Sequence, residues 1–207
     1  LAGILNYSKL IVKKLVKLQK ENEFEDLIRY LKLISEESER CGGIVKDLLL
    51  FSHRGDEQNN YTSLAEIITK AEMLINHHLE INKIKLVKEL PDEPVIVHGN
   101  PQKIQQVLLS LLINAIEAMA GGGTIKIKVD TKGDTIFIRI IDQGTGIAEK
   151  DLPHIFEPFY STKEAVRGTG LGLSVVYGII HAHAGNVEVE RTSNKGTTIL
   201  ITLPGVK

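Results

Sequence analysis

Apolar residues in the first quarter of the chain recur at the spacing of a helix surface. Over residues 27–48 they follow alternating four- and three-residue steps, the heptad pattern that keeps one stripe of a helix buried. The stripe consists of Leu27, Leu31, Ile34, Ser38, Cys41, Val45 and Leu48. Residues 1–18 carry a looser version, and the polar residues 20–23 separate the two. The pattern therefore predicts an antiparallel helical hairpin over residues 1–52.

A two-helix hairpin buries only one face of each helix, so its other apolar positions need a further partner. A second copy of the chain supplies that partner most simply. We therefore expect a homodimer through residues 1–52, in which two hairpins form a four-helix bundle.

The pattern changes after residue 52. Residues 53–60 carry no apolar side chain, which predicts a linker, and residues 61–207 form a second domain. Its predicted helices cover residues 63–78, 101–119 and 171–183, and its predicted strands cover residues 84–88, 95–98, 124–129 and 135–141, with a strand hairpin over residues 187–203. Turns at residues 132–134 and 194–196 join neighbouring strands as antiparallel pairs. Antiparallel strands with helices on one side predict a two-layer α/β sandwich, so the chain as a whole is α+β.

Composition and charge exclude several classes of partner. With 43% hydrophobic and 25% charged residues, the chain has the make-up of a folded globular protein. A formal net charge of -1 provides no basic field for nucleic acid. No apolar run reaches the roughly 18 to 20 residues of a membrane span, so we expect no membrane segment in this chain. The lone Cys41 cannot form an internal disulfide, and we expect a reducing, cytoplasmic setting even if a longer parent protein is attached to a membrane.

The predicted helix over residues 101–119 carries a polar stripe on an otherwise apolar surface. Gln106, Ser110, Asn114 and Glu117 share this side. For Gln106 and Ser110, a solvated surface explains the stripe equally well. Asn114 lies between apolar neighbours, and its carboxamide oxygen is a candidate ligand for an Mg²⁺ whose other ligands are water and phosphate oxygens.

An acidic residue follows the apolar strand that ends at residue 141. The segment reads Asp142-Gln143-Gly144-Thr145-Gly146-Ile147. A carboxylate at this place can accept a hydrogen bond from an exocyclic amine, and the two glycines let a flat ring or a phosphate approach the backbone. On these residues alone, an ordinary Asp/Gly turn is the alternative.

A second glycine-rich segment opens the last predicted helix. It reads Arg167-Gly168-Thr169-Gly170-Leu171-Gly172-Leu173. Free backbone N–H groups and the helix dipole at such a place favour phosphate oxygens. The segment is neither a P-loop nor a dinucleotide fingerprint, since no lysine and hydroxyl follow the glycines and no strand precedes them.

In this order, the motifs resemble those of the GHKL (HATPase_c) ATPase superfamily and, within it, those of the sensor histidine kinases of two-component systems. Asn114 resembles the N box, and residues 142–146 and 168–173 resemble the two glycine boxes. Phe156-Glu157-Pro158-Phe159 resembles the F box, and Lys195-Gly196-Thr197 the last box. The resemblance covers nearly the whole chain. It implies a Bergerat-type ATP-binding domain that follows a dimerisation and phosphoacceptor hairpin.

The resemblance implies ATP and Mg²⁺ as cofactors and assigns a role to each matching residue. Asp142 would bind the adenine amine with support from Thr197, and Asn114 would hold the metal. Further nucleotide contacts would come from Gly144, Gly146, Ile147, Gly168, Thr169, Gly170, Leu171 and Gly172. Residues 145–170 would form a mobile lid over ATP.

Two basic residues of this lid, Lys163 and Arg167, would offset the charge that develops on the phosphates during transfer. For Lys163, a merely solvated surface position is the alternative.

The activity that the resemblance implies is ATP-dependent phosphorylation of a histidine, followed by phosphotransfer to an aspartate of a response-regulator receiver domain. It places the phosphoacceptor histidine upstream of Leu1, so this chain alone is expected not to autophosphorylate. Ser110 departs from the family, which often has asparagine there. The superfamily's ATP hydrolases have a glutamate base at that position, and serine cannot deprotonate water usefully, so hydrolysis as the main activity is disfavoured.

Two other functions belong to different classes. A nucleotide-switched dimeric binding module without kinase activity fits the same motifs. A protein-serine kinase of the same superfamily, such as an anti-sigma factor, is disfavoured by the helical hairpin.

Overall fold

The computed structural model describes residues 8–13, 15–16, 28–36, 38, 59–162 and 170–205. The chain divides into two compact units, Leu1–His53 with Phe159–Leu171, and Arg54–Pro158 with Gly172–Lys207. Residues 53–58 of the predicted linker lie outside the described residues, so the linker stays a prediction.

The first unit contains helical residues in both halves of the predicted hairpin. Residues 8–13 and 15–16 are helical, as are residues 28–36 and 38. The predicted turn and the part of the apolar stripe beyond Ser38 lie outside the described residues. Six large apolar side chains of these helical residues are 45% to 55% exposed: Leu10, Ile11, Val16, Tyr30, Leu33 and Ile34. One copy of the chain therefore leaves much apolar helix surface in contact with water.

The described residues of the second unit form seven strands and three helices. In chain order they are β1 (Asn60–Ser63), α1 (Leu64–Ile81), β2 (Ile84–Glu89), β3 (Ile96–Gly99), α2 (Pro101–Ala118), β4 (Gly123–Lys132), β5 (Thr135–Ile141), α3 (Gly172–Ala182), β6 (Asn186–Ser193) and β7 (Gly196–Pro204). Every helix and strand that the sequence pattern predicts for this domain is present.

Among the described residues of this unit, strand β1 is the one element that the sequence pattern does not predict, and it begins at the last residue of the predicted linker. Its four residues lack an apolar alternation, so no periodic signal marks them. The strand pairs antiparallel with β3, and Tyr61 lies opposite His98. The two rings are 4.8 Å apart between centroids. Pairing with a distant strand therefore creates β1.

Five strands form the main sheet in the order β2-β4-β5-β7-β6. Strand β2 runs parallel to β4, and all other neighbours are antiparallel. Both predicted hairpins, β4–β5 and β6–β7, are formed across their predicted turns. The carboxyl end of β5 and the start of β7 therefore lie side by side.

Helices cover one face of this sheet. Alternate residues of β4 and β5 enter a common core with all three helices; from the two strands these are Ile125, Ile127, Val129, Ile136, Ile138 and Ile140. The other face carries charged side chains, among them Arg139, which pairs with Asp130 at 3.0 Å and Glu190 at 2.9 Å. One buried and one solvated face give the predicted two-layer sandwich.

Helix α2 has a defined start. The side-chain Oδ1 of Asn100 accepts a hydrogen bond from the backbone N–H of Lys103 at 3.0 Å, and Pro101 occupies the first helical position. Both features are typical of helix N-termini. None of the described helices combines the length and apolarity required to cross a lipid bilayer.

Candidate functional site

Asp142 lies directly after β5 and is only 9% exposed. Its Oδ1 accepts hydrogen bonds from the backbone N–H groups of Gly144 at 2.8 Å and Thr197 at 3.1 Å. The backbone N–H of Asp142 donates in turn to the carbonyl oxygen of Thr197 at 3.0 Å. Two adjacent strands therefore fix the orientation of this carboxylate.

The other carboxylate oxygen of Asp142, Oδ2, accepts no hydrogen bond from a described residue. No fully buried side-chain polar atom lacks a partner in the part of the chain that the structure describes, so Oδ2 keeps some contact with solvent. Burial raises the pKa of the Asp142 carboxyl above its ordinary value of 3.8, and the two backbone hydrogen bonds oppose that rise. The site thus offers one accessible hydrogen-bond acceptor in a partly desolvated setting.

The glycines that follow Asp142 are required by close packing. A Cβ on Gly144 would lie 2.7 Å from the Cβ of Ala118 at the end of α2. Gly146 has a φ of +77°, and a Cβ there would lie 2.0 Å from the carbonyl oxygen of Ser193. The backbone N–H of Thr145 also donates to the carbonyl oxygen of Ala118 at 3.2 Å. The segment is therefore held between α2 and the β6–β7 hairpin, where a side chain on either glycine would not fit.

Threonine hydroxyls connect the loop to the hairpin. The backbone N–H of Ile147 donates to Thr192 Oγ1 at 2.8 Å. Thr192 Oγ1 also lies 3.2 Å from Thr197 Oγ1, within hydrogen-bond distance. The structure therefore brings three of the predicted site residues, Asp142, Ile147 and Thr197, close together through Thr192, which the motifs do not include.

Asn114 and Ser110 lie one turn apart on α2 and face the start of α3. A Cβ on Gly172 would lie 3.0 Å from Ser110 Oγ and 3.7 Å from Asn114 Nδ2. In the described residues, no three histidine, cysteine, aspartate or glutamate side chains converge as a metal site. A metal ion at Asn114 would therefore depend on other ligands, such as phosphate oxygens and water.

The F box packs against α3. The ring of Phe156 lies 5.8 Å from that of Tyr177 between centroids, and Phe156 contacts the hydrophobic core. Beyond it, the backbone N–H of Phe159 donates to the carbonyl oxygen of Gly170 at 3.0 Å. Phe159 and Gly170 are therefore neighbours in space, although residues 160–169 separate them in the sequence.

The remaining predicted residues are not placed in this site. Lys163, Arg167, Gly168 and Thr169 lie outside the described residues, so their roles stay predictions. Gly170 and Leu171 belong to the first unit.

Two residues that the motifs do not single out support the loop. Thr192 makes the hydroxyl contacts described above, and it lies opposite Thr197 in the β6–β7 register. Gln143 Oε1 accepts a hydrogen bond from the backbone N–H of Thr124 in β4 at 2.9 Å. The predicted turn at residues 194–196 would place Ser193 across from Thr197, and the shorter turn of the structure, residues 194–195, brings Thr192 there instead. No sequence pattern indicates the role of Gln143, because its partner Thr124 lies in a different strand.

The chain is similar to known proteins in both sequence and fold. Residues 99–207 match the family described as histidine kinase-, DNA gyrase B- and HSP90-like ATPase, HATPase_c. Sporulation kinase E of Bacillus subtilis (strain 168) is 32% identical over 194 residues, which are 93% of this chain and 26% of that protein. The chain therefore spans about a quarter of the length of this relative.

Solved structures of histidine kinases share the fold. The catalytic domain of the histidine kinase ThkA, in a nucleotide-free form, is similar with a TM-score of 0.65 and 31% identity, over 71% of this chain and 95% of that one. The complex of ThkA with the response regulator protein TrrA gives a TM-score of 0.68 and 26% identity, over 99% of this chain and 60% of that one. The family match covers more than half of the chain, and the same segment contains Asn114, Asp142 and Thr197. The chain therefore belongs to the histidine kinase-, DNA gyrase B- and HSP90-like ATPases, and its second unit has the fold of a histidine kinase catalytic domain.

Proposed function

We propose that this chain is the ATP-binding kinase core of a two-component sensor histidine kinase. The observation that carries the proposal is Asp142, a buried carboxylate with one oxygen fixed by Gly144 and Thr197 and the other open. The open oxygen lies beside a loop whose glycines pack closely against α2 and the β6–β7 hairpin, which fixes the backbone next to it. This combination suits a flat base with an exocyclic amine.

The carboxylate selects adenine by hydrogen-bond chemistry. Oδ2 of Asp142 can accept from the amine of adenine, whereas guanine presents a carbonyl oxygen at the same position and would be repelled. Thr197 holds the carboxylate through its backbone N–H. Ile147 and the loop glycines supply the neighbouring wall.

Asn114 is the proposed protein ligand of Mg²⁺. A neutral carboxamide oxygen suits a hard cation that keeps several waters and takes its charge-bearing ligands from the substrate phosphates. When bound, the metal offsets negative charge on the transferred phosphoryl group. Ser110, one turn earlier, is too short to replace a longer side chain at the metal, so we propose that water fills that position.

The proposed reaction has two steps. An imidazole nitrogen attacks the γ-phosphorus of ATP, a nitrogen–phosphorus bond forms, and the bond to the bridging oxygen breaks to release ADP. The phosphoryl group then passes to a carboxylate oxygen of an aspartate on a receiver domain, which frees the histidine. Lys163 and Arg167 are proposed to offset charge on the phosphates during the first step.

Serine at position 110 favours transfer over hydrolysis. The hydroxyl of Ser110 faces Gly172 at the start of α3, and an unactivated hydroxyl does not act as a general base near neutral pH. Because position 110 is serine, attack by water lacks the glutamate base that the superfamily's ATP hydrolases have there.

The proposed partners are a second copy of the chain and a response-regulator receiver domain. Half-exposed apolar side chains on the described helical residues of the first unit support the homodimer. A relative of the same fold was solved as a complex with a response regulator, which supports the receiver. We place the core in the cytoplasm, where ATP is available and a lone cysteine stays reduced.

We propose further that the phosphoacceptor histidine is not among these 207 residues. Incubation with γ-labelled ATP should leave this chain unlabelled, whereas the longer parent should acquire an acid-labile, base-stable label that passes to a receiver domain. A parent with glutamine in place of the phosphoacceptor should stay unlabelled. Strong labelling of a histidine in the 207-residue chain would contradict this placement. A parent that binds ATP but labels neither itself nor the receiver would favour the binding module.

A further inference from the structure

One histidine joins the ends of two helices that carry the proposed nucleotide site. His183 lies directly after α3, and its Nε2 is 3.1 Å from the backbone nitrogen of Asn100, the N-cap of α2. Its Nδ1 is 2.7 Å from the carbonyl oxygen of Ile179, one turn earlier in α3. The imidazole therefore connects the C-terminal end of α3 to the N-terminal end of α2.

The two partners of His183 determine which nitrogen carries the proton. A backbone N–H can only donate, so Nε2 must be the acceptor and must lack hydrogen. A carbonyl oxygen can only accept, so Nδ1 must carry the hydrogen. His183 is thus held as the neutral, Nδ1-protonated tautomer. Protonation of Nε2 would place two N–H groups against each other.

The backbone of β3 is shaped to admit this ring. A Cβ on Gly99 would lie 2.3 Å from Cδ2 and 2.6 Å from Nε2 of His183, closer than any real contact. Asn100, the next residue, is only 9% exposed, so its N–H would be poorly hydrated without the imidazole. An unsatisfied buried N–H is costly. Gly99 therefore leaves the space that the imidazole occupies, and Asn100 supplies its hydrogen-bond donor; we call these two residues the seat of His183.

The same two helices meet again at the proposed metal site. Gly172 at the start of α3 approaches Ser110 and Asn114 of α2, which lie roughly 15 to 21 Å along the helix from Asn100. The helices thus run antiparallel past each other and are in contact at both ends. Because helices are stiff along their axes, a slide that broke the His183 contact would also shift Gly172 relative to Asn114.

We propose that His183 is a positioning residue for nucleotide binding. Its neutral imidazole sets the register between α2, which carries Asn114, and α3, which begins at the second glycine box. This inference rests on the proposed function, because its consequence is measured as affinity for ATP with Mg²⁺. Loss of the acceptor at Nε2 lets the helices slip and weakens that affinity, although His183 touches no nucleotide.

Asparagine and glutamine at position 183 separate the two hydrogen bonds. The amide of His183→Asn reaches the position of Nδ1 and keeps the bond to Ile179. The longer amide of His183→Gln reaches the position of Nε2 and keeps an acceptor for Asn100. We expect His183→Asn to bind ATP with Mg²⁺ about tenfold more weakly, as for the loss of one buried hydrogen bond. His183→Gln should stay within about threefold of the unchanged chain.

Gly99→Ala tests the same contact without changing the histidine. The added Cβ expels the imidazole from its seat, so this variant should bind ATP as weakly as His183→Asn. His181→Asn is the matched control, because His181 lies on the same helix and its ring contacts that of Tyr177 instead, 4.1 Å apart between centroids. Its affinity should equal that of the unchanged chain.

Calorimetric titration with ATP and Mg²⁺ gives the affinities, at a temperature where circular dichroism shows each variant folded. Amide hydrogen exchange at Asn100 and the ¹⁵N shifts of the His183 ring in the unchanged chain report the contact directly. Equal affinities of His183→Asn and the unchanged chain would overturn the proposal, as would a ring protonated at Nε2. Fast exchange at Asn100 in His183→Asn but not in His183→Gln supports it.

Asp142→Ala distinguishes this proposal from the proposed function. If the unchanged chain does not bind ATP, or Asp142→Ala binds as well, the nucleotide assignment fails, and the ring tautomer and the Asn100 exchange still decide whether the contact exists. If Asp142→Ala loses binding while His183→Asn does not, the nucleotide site stands and the positioning role is wrong.

Discussion

At the scale of single residues, the fold fixes the orientation of the Asp142 carboxylate but also disfavours its ionised form by burying it. Burial disfavours its ionised form, whereas the N–H groups of Gly144 and Thr197 stabilise it. Both bonds end on Oδ1, so Oδ2 is left for a ligand. The orientation of the carboxylate is therefore fixed before any nucleotide arrives, which reduces the entropy lost on binding.

Asp142→Ala should weaken ATP binding by about 1.5 to 3 kcal/mol, or roughly 10- to 150-fold, because one hydrogen bond to a charged group is lost. Asp142→Asn should also bind ATP poorly, but it turns the open atom into an N–H donor and should favour guanine more than the unchanged chain does. Calorimetry with ATP and GTP measures both effects. Unchanged ATP affinity in a folded Asp142→Ala variant would contradict the adenine assignment.

The raised pKa of Asp142 predicts opposite pH trends for stability and binding. The folded chain holds this proton at pH values where the unfolded chain has released it, so the contribution of Asp142 to the free energy of unfolding falls as pH rises through the raised pKa. ATP affinity should rise over the same interval, because only the carboxylate accepts from adenine.

Denaturant unfolding of the unchanged chain and Asp142→Asn, between about pH 4 and 7, isolates this contribution, since the asparagine does not titrate. The stability of the unchanged chain relative to the variant should decrease as pH rises. A constant difference over the whole range would show that Asp142 does not titrate there.

At the scale of elements, α2 contributes to the core and to the site at once. Its apolar side packs into the core, while Ser110 and Asn114 face Gly172 of α3. Its N-terminus is capped by Asn100, and its C-terminal Ala118 receives the Thr145 N–H of the glycine loop. A single helix therefore connects Asn114, the proposed metal ligand, to the glycine loop that follows Asp142, the proposed adenine ligand.

Asn114→Ala should lower the affinity for ATP in the presence of Mg²⁺ but have little effect when the metal is chelated, because the carboxamide acts on the ion. Loss of one ligand among several suggests about a tenfold change. Gln106→Ala, two turns earlier on the same side of α2, is the matched control and should change neither titration. An equal loss with and without Mg²⁺ would assign Asn114 to packing instead.

At the scale of the whole molecule, the two units pose different stability problems. The second unit encloses a continuous core between its sheet and its three helices. The described helical residues of the first unit leave six large apolar side chains about half exposed in one copy. An exposed apolar helix surface needs a partner to cover it, and apolar residues at heptad spacing can pack against the same residues of a second hairpin.

Removal of residues 1–58 should therefore release monomers. A fragment that begins at Asn59 retains β1 and hence its pairing with β3, and the catalytic domain of ThkA shows that a comparable segment has been solved by itself. Sedimentation should give a dimer for the full chain and a monomer for the fragment. A fragment that stayed dimeric would place the main interface within residues 59–207.

The site shows where sequence motifs reach their limit. Asp142, Thr197 and Asn114 are predicted from the order of the motifs, and the structure places the backbone of Thr197 within hydrogen-bond distance of Asp142. Thr192 needs the hairpin register as well, and Gln143 needs the position of β4. The contact between Asn100 and His183 joins residues 83 positions apart, and a pattern of neighbouring residues cannot indicate which distant residue packs there.

The sequence by itself determined the helices of the second unit and its strands β2–β7, because their apolar residues follow the periods of helices and strands. It also determined the family, through glycines and polar residues in a fixed order. Only the tertiary structure decided the strand β1, which exists through its pairing with β3, the open oxygen of Asp142 and the seat of His183 at Gly99. These features depend on which surfaces meet in three dimensions, and a periodic pattern encodes which face is buried but not what covers it.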